Sequence, residues 1–298
     1  GRDAIVGIEC DIWIPAARPD VAALPVLRKV AQLTVREVRD DDRAAVLLDT
    51  LLQRVPGDGE LLRAAAAIQE RRGKFDEVAR LYAQAAAAAP NPKAAVGFQV
   101  LSAKVLHRKL GDRAGAAAAY RAALMTAPGE SAALHGLFEV LSEEQKWAEG
   151  AAILMQVIAV TEDPAARLKL TGELCATQLR QWQKERRLED AEACLAACDA
   201  ALSLDPHFEP AIDSLLAVCV PLQRWQDVTT RLEGSTKSLS ALRGLRQAYE
   251  ATAQTEKLAP TLFRLAERST QGKESAEAAV AAGELYQHKL ADPRSAER

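Results

Sequence analysis

Three cysteines stand where thiol chemistry could be done: Cys194 and Cys198 lie one helical turn apart, and Cys175 precedes them in an earlier apolar segment. Three thiolates brought together could hold zinc or run thiol redox chemistry. Free cysteine is also a small buried hydrophobe. Cys194 and Cys198 fall in an apolar stripe where comparable segments carry Ala, and packing is the reading taken. The chain holds five cysteines, including Cys10 and Cys219, with no C-x-x-C pair. An odd number without ligand spacing points to free thiols in a reducing compartment. That favours the cytoplasm, with the periplasm as the alternative. The four histidines, His107, His135, His207 and His288, are dispersed, and none forms H-E-x-x-H. His135 lies near Ser131 and Glu130, which could be a base beside a nucleophile. Ser131 reads better as the N-cap of a helix that starts after Pro128-Gly129. Trp147 and Trp225 follow Lys146 and Arg224. Cation–π or base-stacking uses are open to them, but both occupy a slot that Phe75 fills elsewhere, and core packing is expected. No phosphate loop, dinucleotide fingerprint or nucleophile elbow occurs. No enzyme, cofactor or metal is expected.

The elements that must position any site are helical. Apolar residues make up 49% of the chain but aromatics only 4%, so Ala, Leu and Val carry the hydrophobicity, and Ala and Leu are strong helix formers. Net charge is −3, and no block of fifty residues departs from balance by more than two charges. A nucleic-acid surface would need a basic stripe, and none is visible. No run of about 18 apolar residues exists to span a membrane.

The chain repeats itself. Residues 73–90 read GKFDEVARLYAQAAAAAP and residues 111–128 read GDRAGAAAAYRAALMTAP, each with Tyr nine positions after the Gly. Bulky anchors recur at Phe75, Arg113, Trp147, Leu188, Trp225 and Leu258. A smaller residue follows each by three (Val78, Ala116, Gly150, Ala191, Val228, Thr261) and a larger one by seven (Tyr82, Tyr120, Leu154, Leu195, Leu232, Leu265). Spacings of three and four keep these on one helical face. Pro56, Pro90, Pro128, Pro164 and Pro206 mark boundaries at similar intervals. Apolar-periodic stretches such as Ala132–Leu141 and Ala165–Trp182 supply the first helix of each pair. Gly73 and Gly111 provide tight turns that need positive φ. A lone hairpin cannot bury its apolar face, but stacked near-copies share a continuous core. Ala116 must be small for the paired helices to approach, and Tyr120 fills the gap toward the next copy.

Gly, an aromatic, Ala, Tyr, Ala and Pro in this order resemble the tetratricopeptide repeat. The family's small-then-aromatic pattern maps onto Ala116, Tyr120, Ala123 and Pro128, and onto Val78, Tyr82, Ala85 and Pro90. The match is strong over residues 60–128, good over 131–164 and degenerate over 165–270. The resemblance implies an all-α, right-handed superhelical α-solenoid of about seven antiparallel hairpins plus a trailing partial one. It further implies a groove lined by first helices that binds a protein or extended peptide. Candidates on those faces are Arg63, Glu70, Arg180, Gln183, Arg243 and Arg246. Some members grip a C-terminal carboxylate with Lys and Asn. The single Asn here, Asn91, sits in a Pro-Asn-Pro turn, so chaperone tails are not expected to bind that way.

Residues 1–20, with the run AIVGIECDIWIP, fit no repeat and read as a linker or non-repeat segment. The solenoid is expected over 21–298, cut at both ends, since Asp292-Pro293 looks like the start of a further helix. The functional reading is a protein–protein interaction scaffold or adaptor with an unknown protein or peptide partner. Nucleic acid and small molecules are not expected. The alternatives are a nucleic-acid-binding helical repeat, an enzyme or a thiol or metal sensor centred on Cys175, Cys194 and Cys198, and a regulatory or spacer arm of a larger multidomain protein. The Ala-rich composition suggests a bacterial source.

Overall fold

A computed structural model describes residues 24–37 and 40–289. The segment 1–20 and the helix expected after Asp292-Pro293 lie outside the described residues. Fifteen α-helices and no strand occur among the described residues. The chain divides into two compact units between Gln145 and Lys146. The first holds α1 (Leu24–Glu37), α2 (Asp41–Arg54), α3 (Gly59–Arg71), α4 (Phe75–Ala87), α5 (Pro92–Val105), α6 (Arg113–Thr126) and α7 (Ser131–Glu143). The second holds α8 (Trp147–Val160), α9 (Pro164–Glu185), α10 (Leu188–Leu204), α11 (Glu209–Cys219), α12 (Trp225–Leu232), α13 (Leu239–Ala251), α14 (Thr255–Arg268) and α15 (Gly272–Glu284). This is the expected all-α order of seven sequential pairs and one trailing helix. Two first helices, α5 and α15, run on into π-helical turns at Leu106–Leu110 and Leu285–Lys289.

Local chemistry sets the helix starts. Asp40, Asp58, Asn91, Asp112, Asp163 and Ser238 each accept hydrogen bonds from backbone N–H groups of the first turn, which satisfies donors that have no intrahelical partner. Pro92 and Pro164 follow their caps and open α5 and α9. There the missing N–H costs nothing. Ser131 does not cap: it is the first residue of α7, and Glu130 holds the cap position without a side-chain bond.

The turns within pairs share one device. Gly73 (φ 72) and Gly111 (φ 68) adopt the left-handed conformation, as expected. So do Gln145, Arg186, Gln223 and Ala253. Each left-handed residue stands two positions before the first residue of the second helix. That places Phe75, Arg113, Trp147, Leu188 and Trp225 at helix starts, as the anchor spacing predicts. The sixth anchor moves: α14 begins at Thr255, not Leu258. The first residue of that helix is the small Thr255 where the other five anchored helices start on a bulky side chain, so the anchor pattern settles on Leu258, about one helical turn later.

Packing follows the small-then-large rule. Val78, Ala116, Ala191 and Val228 expose no surface, and Tyr120, Leu154, Leu195, Leu232 and Leu265 are buried. Tyr120 of α6 reaches α7 at Gly136, where an added Cβ would lie 2.5 Å from the phenol oxygen and 2.6 Å from Cε1. Glycine at 136 makes the room that this tyrosine occupies. In the second unit Phe208 takes the equivalent space above Gly172 of α9. Consecutive helices pack along the chain within each unit. First helices also touch one another, α1 with α3 and α5 with α7 in the first unit, α9 with α11 and α11 with α13 in the second, and no two second helices pack as closely. First helices therefore adjoin one another at these four steps. Arginines tie neighbouring pairs across 30 to 32 residues: Arg28 to Asp58, Arg71 to Asp41, Arg113 to Glu143, Arg231 to Asp199 and Arg243 to Glu274. Asp58 is buried; the other pairs are more exposed and contribute about 0–1 kcal/mol each, so they fix register more than they stabilise.

Candidate partner-binding surface

All six residues singled out from the sequence lie on first helices, two on α3 in the first unit and four on α9 and α13 in the second. Arg63 and Glu70 are exposed on α3, two turns apart. The Arg63 guanidinium lies 5.1 Å from the centre of the Phe98 ring on α5. Tyr82 of α4 stacks on the same ring, with centroids 6.4 Å apart. Burial raises the Tyr82 phenol; Glu70 pushes it further the same way, and Arg63 opposes. The next copy repeats this electrostatic pattern. Tyr120 is raised by burial and then by Glu139, against Arg108, and Arg108 pairs with Glu139 at 3.2 Å. A tyrosine from the second helix thus meets an Arg and Glu of the first helices in two successive repeats.

Beside Arg63 a cleft of about 490 Å³ opens between α1 and α3. Ala64 and Ala67 form its floor, Val35 one wall, and Gln32, Arg36, Glu60 and Arg63 its polar groups. Arg28 already engages Glu60 at 3.5 Å and Asp58 at 2.7 Å. Burial works against the Asp58 charge, but the Arg28 hydrogen bond and the α3 backbone donors win and lower its pKa. The negative side of the cleft is therefore largely answered from within the chain.

In the second unit the arginines are committed. Arg180 covers the ring of Trp147 at 5.2 Å, so half-buried Trp147 packs at its anchor slot with a cation on its outer face. Gln183 is exposed one turn later on α9. Arg243 makes two hydrogen bonds to Glu274, at 2.7 and 2.8 Å, and Arg246 meets Glu250 at 2.8 Å. Arg243 first, and then Ser269, hold the Glu274 carboxyl down to about 2. Arg224, which precedes Trp225, pairs with Glu192 and Asp227, both at 2.5 Å. Asp227 also receives Arg231.

The sequence reading missed three participants. Phe98 joins Arg63 to Tyr82, and a spacing of sixteen residues, the same as from Tyr120 to Gly136, is the signal that could have found it. His107, buried in the π-helical turn, meets Glu143 at 3.0 Å, and Glu143 also takes Arg113 at 2.7 Å. Tyr249 donates to Glu233 at 3.1 Å while Lys257 meets the same carboxylate at 2.7 Å, and burial followed by Glu233 pushes the Tyr249 phenol up to about 12.

The two sites of conceivable chemistry come out differently. His135 Nδ1 lies 2.8 Å from the Ser131 carbonyl and 3.2 Å from its Oγ. The shorter contact is to a carbonyl acceptor, which favours the tautomer that donates from Nδ1 over one that takes the hydroxyl proton. Cys175, Cys194 and Cys198 are buried together, and no three His, Cys, Asp or Glu side chains among the described residues are placed to hold a metal ion. No helix among the described residues is long and apolar enough to cross a membrane.

No protein-family model matches the chain, and no curated protein matches it. Among solved structures it is similar to YrrB, a TPR protein with an unusual peptide-binding site, at 16% identity over 63% of this chain and 89% of that one, with a TM-score of 0.42. It is similar to the TPR2AB-domain:pHSP90 complex of yeast Sti1, at 16% identity over 93% of this chain and 100% of that one, with a TM-score of 0.41. A tetratricopeptide repeat protein from Parabacteroides merdae aligns at 13% identity over 93% of this chain and 100% of that one, with a TM-score of 0.43.

Proposed function

We propose that the chain is a protein-interaction scaffold that holds an extended segment of a partner protein against the first helices of its hairpins. The observation that carries this reading is the α1–α3 cleft, whose apolar floor and few convergent polar groups have the composition of a binding site. Arg63 is the residue of the original six that lines it, and Glu70 extends the surface along α3. Arg180, Gln183, Arg243 and Arg246 supply secondary contacts on the second unit. Arg243 and Arg246 contribute less, because each must exchange an existing carboxylate for a partner's, and like-for-like exchange of exposed pairs yields little. Rigid display suits such a role: helices hold the contact side chains before binding, so less ordering entropy is lost.

The test is a random peptide display library panned on the full chain, followed by anisotropy titration of the enriched peptides. Ala67→Trp fills the cleft from its half-buried floor, and Arg63→Glu reverses its charge. Each is expected to weaken the peptides about tenfold or more, a change of about 1.4 kcal/mol. Failure to enrich peptides, or affinity indifferent to both substitutions, sinks the reading. Capture of RNA with steep salt dependence would transfer it to nucleic acid.

A further inference from the structure

Four of the five cysteines lie in the core of the second unit on three consecutive helices: Cys175 on α9, Cys194 and Cys198 on α10, Cys219 on α11. None exposes any surface. The Cys194 thiol donates to the Cys175 carbonyl oxygen at 3.7 Å. One turn further along α10, Cys198 is buried in the same core. Elsewhere Ala fills such positions, as at Ala116 and Ala123, so packing alone does not call for sulfur.

A metal use is disfavoured, since no three ligands among the described residues are placed for an ion. A nucleophile needs thiolate and access. Contact with Cys175 and then Cys194, together with burial, pushes the Cys198 thiol up, and burial pushes Cys219 up to about 11. Sulfur–sulfur bonding remains, and it needs two thiols on different elements with close backbones.

The geometry points to Cys175 as one half of an oxidation-formed disulfide to α10, with Cys194, or Cys198 one turn further on, as the other half, stapling the α9–α10 hairpin. Hydrogen peroxide serves as oxidant. One thiolate attacks a peroxide oxygen, the O–O bond breaks and hydroxide leaves, giving a sulfenic acid. The second sulfur attacks the first, the S–S bond forms, the S–O bond breaks and water leaves. For hydrogen peroxide, two thiols become one disulfide and two waters, the protons ending in water. The closed hairpin withholds both thiols, so the reaction follows opening of α9 from α10. The turn between them is held by Arg186 at φ 57, a conformation that strains a residue bearing Cβ. The bond, once made, prevents the opening that allowed it.

The experiment uses the full chain with Cys10→Ser, hydrogen peroxide and mild urea, then alkylation and trypsin. Cys175 falls alone in the peptide Leu170–Arg180, and Cys194, Cys198 and Cys219 share Leu188–Arg224. These two peptides are expected to be crosslinked in monomeric protein, and to remain so with Cys219→Ala. Cys175→Ala abolishes the link; should that variant fail to fold, Cys194→Ala with Cys198→Ala must abolish it with Cys175 intact. Amide exchange of α9 and α10 is expected to slow about tenfold on oxidation. The inference is overturned if Leu170–Arg180 stays uncrosslinked while the thiols proceed to sulfinic acid, or if the link disappears with Cys219→Ala.

Discussion

The α5–α6 hairpin of the first unit and the α9–α10 hairpin of the second build the same motif from different residues. The first turns on Gly111, packs Ala116, and sends Tyr120 into the space above Gly136. The second turns on Arg186, packs Ala191, Cys194 and Cys198, and lets Phe208 fill the space above Gly172 from the following turn. The filling aromatic thus comes from a second helix in one and from a loop in the other. The difference teaches that the repeat conserves a shape, a left-handed turn and a filled inter-repeat gap, while the residues that satisfy it are exchangeable. It also explains why the repeat is plain in the first unit and faint in the second.

The largest test of this comparison is the Tyr120–Gly136 contact. Tyr120→Ala is expected to cost about 3–5 kcal/mol through the cavity it leaves, read by equilibrium urea unfolding. Gly136→Ala and Ala116→Leu overpack the same seam and should cost about 1–3 kcal/mol each. Tyr120→Ala combined with Gly136→Ala should cost clearly less than their sum, because the ring that the new Cβ meets is gone. Additive losses would mean that the two residues do not share one space.

A smaller effect follows from Glu274. Its carboxyl sits at about 2 in the folded chain, against about 4.3 for an unperturbed glutamate. A lowered folded-state pKa means that the unfolded chain takes up the proton first. The contribution is therefore complete above about pH 4.3 and is lost as pH falls toward about 2. Asp58 and Asp227, also lowered, act with the same sign. Arg243→Gln should flatten the acid limb of urea midpoints, and an unchanged limb would show that the ion pair is not maintained in solution.

The smallest effect sharpens the turn comparison. Ala253→Gly should stabilise by about 0.5–1 kcal/mol, because it removes the left-handed cost of a Cβ against the added chain entropy of Gly. Gly73→Ala should destabilise by a similar amount. Opposite signs at equivalent positions are the signature of one shared turn geometry; equal signs would separate the two turns.

Much of the fold was legible. The small-then-large spacing from Phe75 to Leu232 identified the second helices, because one helical face must be buried whatever its neighbours. Legibility failed at Leu258, because that helix starts on the small Thr255 and lacks the bulky first residue that marked the other five starts. It failed at Ser131, whose position beside Pro128-Gly129 suited a cap but whose backbone is already helical. The candidate surface was half legible: exposure of Arg63, Glu70 and Gln183 follows from their place on amphipathic helices. The pairing of Arg243 with Glu274 and of Arg180 with Trp147 joins residues more than thirty positions apart, and no local pattern announces which acid or ring an arginine will meet.

The sequence by itself determined the helices, their pairing and the stripe each must bury, because propensity, capping and 3.6-residue periodicity act within a few residues. Only the tertiary structure decided which side chains share a space. Tyr120 with Gly136, Arg63 with Phe98, and Cys175 with Cys194 and Cys198 are set by how successive hairpins stack, and that stacking is fixed by volumes and charges contributed from segments distant in the chain.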